Sequence, residues 1–93
     1  MPKIARVDLD GSVDHDGTPS PQRKFTGGSP TVFLNGKAIV RVGDMTLCGD
    51  TALTGSGTVF ANGLKVHRKD DSIFSHDFEE ILCESGSPDV FAG

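Results

Sequence analysis

Gly28-Ser29-Pro30-Thr31-Val32-Phe33-Leu34-Asn35-Gly36 recurs as Gly55-Ser56-Gly57-Thr58-Val59-Phe60-Ala61-Asn62-Gly63. A third copy, cut short by the chain end, reads Gly86-Ser87-Pro88-Asp89-Val90-Phe91-Ala92-Gly93. The copies start 27 and then 31 residues apart, and self-similarity at such spacing signals a repeat architecture. The first two copies stay in register past the Asn-Gly: Arg41 matches Arg68 and Asp44 matches Asp71. Thr-Val-Phe is β-branched and aromatic, as strands prefer. Asn35-Gly36 and Asn62-Gly63 are two-residue hairpin signals, because both central residues of a type I′ turn need φ > 0. A second short strand follows over 37–42, ended by the turn residues Gly43-Asp44. A third is expected near 51–54.

Working outward, 17–24 has loop composition. The segment 72–82 suits either a loop or one short helix. The expected fold is therefore all-β with little or no helix. Three hairpin-like units are each too small to bury an apolar face alone. We expect them to pack with pseudo-threefold symmetry into a small cone.

The remaining composition sets limits. Ninety-three residues argue for a single domain over 1–93. Such a chain buries only roughly 60–65% of its unfolded surface, so its core is thin and calls for a metal, a disulfide or a partner. Two cysteines are too few for a disulfide framework. A net charge of −4 and a pI near 5.1 disfavour nucleic acid as a partner. No apolar run approaches the roughly 20 residues of a membrane helix, and no secretory signal is visible at the start.

The scarce histidines and cysteines become the candidate site. His15, Cys48 and His76 each follow an Asp by four or five residues, at matching turns of their units. Turns arranged about an axis converge at one end, where imidazoles and a thiolate would offer zinc-type ligands. His67 is the fourth candidate, in a strand where the first unit has Val40. Cys83 aligns with Phe25 and Ala52, a packing position, and is the alternative fourth ligand. Three His and one Cys would close a tetrahedral, structural shell. Asp8, Asp10, Asp14 and Asp16 lack EF-hand spacing and read as turn residues.

The stretch from Gly28 to Asp44, with its Asn35-Gly36-Lys37 and trailing Arg41-Val42-Gly43-Asp44, resembles the repeat of PAAR proteins. The tetrad that names the family reads Ala38-Ile39-Val40-Arg41 here and Lys65-Val66-His67-Arg68 in the second unit. The resemblance implies a non-enzymatic tip that caps and sharpens the central spike of a contractile injection machine. Such machines are type VI secretion systems and contractile phage tails. It implies a structural zinc ion held by His15, His67, His76 and Cys48. It implies a trimeric β-helical spike (valine-glycine repeat type or phage tail spike) as partner and the target cell envelope as the thing pierced. The location would be the virion's tail tip or a secreted spike. Ending within its third copy, the chain is expected to be a bare tip without an effector extension. Two other readings compete: a small zinc hydrolase using Glu79 or Glu80 as base, and a metal-free β-rich adhesion module.

Overall fold

A computed structural model describes all 93 residues, Met1–Gly93. The chain is nearly all β, built from β1 (Phe33–Leu34), β2 (Lys37–Ala38), β3 (Thr51–Ala52), β4 (Phe60–Ala61), β5 (Leu64–Lys65), β6 (Ser72–Phe74) and β7 (Glu80–Leu82). The only helical element is a 3-10 turn, Ser20–Arg23, within the expected loop. No helix is long and apolar enough to cross a membrane.

The Asn-Gly dipeptides fold as their chemistry demands. Asn35 and Gly36 take φ of 54° and 82°, and Asn62 and Gly63 take 54° and 79°. They close the antiparallel hairpins β1–β2, with Phe33 opposite Ala38, and β4–β5, with Phe60 opposite Lys65. The segment 72–82 differs from its expectation. It forms the hairpin β6–β7 and pairs through β6 with β3. Ile73 is fully buried between the half-buried Ser72 and the exposed Phe74, a two-residue alternation. The turn places Phe78 at φ 67°. That left-handed break, backed by the Ser75 hydroxyl accepting from the Glu79 N–H, stops a helix from continuing.

The same hydrogen bonds occur at three places. The Ile39 N–H donates to the Val32 carbonyl, Val66 to Val59, and Ile4 to Val90. Ser29, Ser56 and Ser87 each accept with Oγ from the backbone N–H three residues on. Most telling is a closed ring. The Ala5 N–H donates to the His67 carbonyl (3.0 Å), His67 to Val40 (2.9 Å) and Val40 back to Ala5 (3.1 Å). A second ring-like set lies alongside, with Val7 donating to Ala38, Val42 to Lys65 and Lys69 to Lys3. The copy that the sequence cuts short is thus completed by the first residues of the chain: Lys3 bridges Phe91, and the Ala92 N–H donates to the Pro2 carbonyl.

The arginines shared by the copies have a common task. Arg6, Arg41 and Arg68 each grip an aspartate (Asp10, Asp44, Asp71) with both the backbone N–H and Nε, at 2.7–3.1 Å. Each carboxylate pins the turn that follows its strand. Burial opposes ionisation of Asp71, but the Arg68 hydrogen bonds and charge outweigh it and hold its pKa below the usual range.

Two small apolar clusters result. One gathers Ile4, Ile39, Ala61, Val66 and Ala92. The other gathers Ala5, Phe25, Val40, Ala52, Ile73 and Cys83. Both are poor in large side chains, so close backbone approach carries much of the packing. At Gly55 an added Cβ would lie 2.5 Å from the Val66 carbonyl oxygen. At Gly57, two residues on, it would meet nothing within 4 Å. Gly55→Ala should therefore cost about 1–3 kcal/mol or more, as overpacking does. Gly57→Ala should be neutral or stabilise slightly. Urea unfolding midpoints of the two variants against the parent check this.

Candidate metal centre

The turns that follow the Arg–Asp braces carry the polar cluster. His15 comes from the loop after Ser12, Cys48 and Asp50 from the turn before β3, and His76 from the turn joining β6 to β7. One donor atom from each of His15, Cys48, Asp50 and His76 lies within 4.8 Å of all the others. Three residues singled out from the sequence are thus brought together, and Asp50 joins them.

His67 is elsewhere. It is fully buried in the ring with Ala5 and Val40, and its imidazole meets Phe25 edge-on at 5.3 Å between ring centres. Its Nδ1 lies 2.7 Å from the Thr54 carbonyl and must carry the proton there, since a carbonyl only accepts. Its Nε2 then has a bare lone pair with no partner. Burial disfavours the charged ring, and its pKa falls below the ordinary value despite the Thr54 bond. A bare buried acceptor of this kind costs about 1–3 kcal/mol. Cys83 also lies apart, fully buried in the core at the place where Phe25 and Ala52 stand in the other units. The backbone says the same: Asp8 donates to Phe25, Gly43 to Ala52 and Asp70 to Cys83. Asp8 and Asp16, read as turn residues, have φ of 69° and 51°.

The geometry within the cluster asks for a cation. His15 Nδ1 sits 2.8 Å from the Val13 carbonyl, which fixes its proton on that nitrogen. Nε2 then points its lone pair at the Asp50 carboxylate, 3.1–3.2 Å away. Two lone pairs at that distance repel unless a proton or a metal ion lies between them. Burial lowers the His15 pKa, but the Val13 bond and the Asp50 charge outweigh it, and the net shift is upward. The fully buried Asp50 also accepts from Ser12 Oγ (2.7 Å), Cys48 Sγ (3.1 Å), and His76 through its backbone N–H and Nδ1 (both 2.9 Å). Burial pushes this carboxyl up, yet those hydrogen bonds hold its pKa at about 2. Burial likewise raises the Cys48 thiol. The donors are of the nitrogen, sulfur and oxygen types that bind zinc, so the residues fit a metal ion. Glu79 and Glu80 are not among them, and Glu80 is engaged by the Ser72 hydroxyl at 3.0 Å.

Asp50 was missed in the sequence because it stands outside the repeated Asp positions. Its one signal was the spacing Cys48-Gly49-Asp50, with Gly49 at φ 97° turning the chain so that both side chains reach one point.

A small all-β domain closed by backbone rings, with a candidate metal centre on its turns, defines the class. The family model described as the PAAR motif matches residues 4–54, more than half of the chain, and the chain belongs to that family. Membership implies a protein of the spike-tip type found in secretion and phage systems. No curated protein matches the chain.

The two cysteines should separate chemically. Cys48 is half-buried. Burial pushes the Cys83 thiol up to about 12. In metal-free protein, iodoacetamide near neutral pH should alkylate Cys48 at least tenfold faster than Cys83, which should react only on unfolding, since the thiolate is the nucleophile. Peptide mass spectrometry over a time course reads the two rates.

Proposed function

We propose that this chain is a non-enzymatic tip that caps the trimeric central spike of a contractile injection machine and is driven into the target cell envelope with it. The observation that carries the reading, beside family membership, is a set of three exposed phenylalanines. Phe33, Phe60 and Phe91 are 58%, 54% and 43% exposed. Each directly follows the valine whose carbonyl accepts the matching hydrogen bond from Ile39, Val66 or Ile4. Large apolar side chains left in solvent mark an interaction surface. Three of them in matching settings suit a partner with threefold symmetry, and a trimeric β-helical spike offers three equivalent receptors.

In the same reading a zinc ion is bound by His15, Cys48 and His76. The ion would tie together three turns from distant parts of the chain. Metal binding in small domains contributes folding free energy directly, on the order of 10 kcal/mol for zinc peptides at neutral pH. This chain's own residues orient the donors: the Val13 carbonyl fixes the His15 tautomer, and Thr46 Oγ1 lies 3.3 Å from Cys48 Sγ. The site's task is to hold the turns under load. No nucleic acid is needed as a partner, and the function is exercised outside the producing cell, on the spike.

Native mass spectrometry of the chain mixed with its trimeric spike should show one chain per spike trimer. Full burial of a Phe contributes about 1.5–3 kcal/mol. Replacing Phe60 with Asp should therefore weaken the complex roughly tenfold or more. The triple replacement at 33, 60 and 91 should abolish it. Unchanged affinity in the triple variant would contradict this docking surface.

A further inference from the structure

Resting on the reading of the cluster as a metal centre, we propose that Asp50 supplies the fourth ligand. The ion would then be held by two imidazole nitrogens, one thiolate and one carboxylate oxygen, and His67 would take no part. This differs from the three-histidine, one-cysteine shell that the sequence resemblance implies.

The distances favour it. Ligand atoms about 2.0–2.3 Å from a tetrahedral zinc stand roughly 3.3–3.8 Å from one another. The Asp50 carboxylate lies 3.1 Å from His15 Nε2, 3.1 Å from Cys48 Sγ and 2.9 Å from His76 Nδ1. Asp50 and each of these neighbours need to part by only some tenths of an ångström to admit an ion, and all four donor atoms already lie within 4.8 Å of one another. His67 is not within this group.

The bonds around the four donors favour it too. Metal-ligating side chains are oriented by a second layer of hydrogen bonds. His15 has the Val13 carbonyl on Nδ1, leaving Nε2 for the ion. His76 has the Asp16 carboxylate 3.9 Å from Nε2, a charge contact that suits a proton on that nitrogen and leaves Nδ1 free for the ion once its proton has moved there. Asp50 keeps Ser12 Oγ and the His76 N–H whether or not it binds metal. Cys48 has Thr46 Oγ1. Each of the four carries its own outer contact and faces the other three.

His67 has the opposite arrangement. Its backbone N–H and carbonyl are both consumed in the ring with Val40 and Ala5. Its Nδ1 is consumed by Thr54, and its Nε2 is fully buried, on a ring packed against Phe25. Charge supports the same choice. One thiolate and one carboxylate cancel a divalent cation, so the centre carries no net charge and the fully buried Asp50 gains a counter-ion.

X-ray absorption at the zinc edge, on the zinc-loaded chain, tests this without relying on any activity. The expected spectrum has one sulfur at about 2.3 Å, three nitrogen or oxygen atoms at about 2.0–2.1 Å, and outer-shell scattering from two imidazole rings. Scattering from three rings would overturn the proposal. Two variants give an independent reading. His67→Leu should keep one zinc per chain and an unchanged spectrum. Asp50→Asn should lose more than the roughly 10- to 100-fold in zinc affinity that removing an outer-layer partner costs. If His67→Leu loses zinc and Asp50→Asn keeps it, the fourth ligand is His67, while the metal centre itself stands. If the parent chain binds no zinc, the metal-centre reading fails and this assignment with it. Should either variant fail to fold, the parent spectrum decides alone.

Discussion

Three backbone hydrogen bonds tie three distant stretches of this chain together: Ala5 to His67, His67 to Val40, and Val40 to Ala5. They form a closed ring, so none can be lost without loosening the other two. In water such bonds are individually worth only about 0.5–1.5 kcal/mol net. Their strength here lies in what they force. Three strand segments separated by tens of residues must approach closely enough to exclude bulky side chains. The glycines at strand entries permit that approach, and the apolar residues beside the ring fill what space remains.

The ring also explains how so thin a core can position a demanding site. The Arg–Asp braces follow the ring strands within a few residues and fix the directions in which the turns leave. Those turns carry His15, Cys48, Asp50 and His76 to one point. The consequence is that the site is assembled from three distant stretches of sequence, and an ion there would cross-link them as a disulfide might in another small domain. The exposed Phe33, Phe60 and Phe91 each follow a valine that accepts the matching backbone hydrogen bond. One scaffold thus presents three exposed phenylalanines in matching settings and a polar cluster drawn from unlike residues.

Much of this was legible in the residues. The Asn-Gly pairs announced their hairpins because few other dipeptides accept positive φ at both positions. Cys83 was readable as a packing residue from its alignment with Phe25 and Ala52, and it lies in the core with them. The convergence of His15, Cys48 and His76 followed from their matching turns. Three things were not legible. The partner of the third copy is the N-terminal segment 2–4, and pairing between residues so far apart in sequence leaves no local signature. The hairpin in 72–82 was hidden because its turn rests on a left-handed Phe78, which no turn-residue rule anticipates. Asp50 was hidden because a lone carboxylate is usually a solvated turn residue, and only its burial against Ser12, Cys48 and both histidines sets it apart.

The dependence of the whole domain on the closed ring can be read amide by amide. Native-state hydrogen exchange followed by NMR should find the Ala5, Val40 and His67 amides among the slowest in the protein. All three should exchange at one common opening free energy equal to that of global unfolding, because the ring opens only as a unit. The contradicting result is an Ala5 amide that exchanges about a hundredfold faster than Val40 and His67 under native conditions. That would mean the N-terminal segment around Ala5 frays independently and the ring is not what closes the fold.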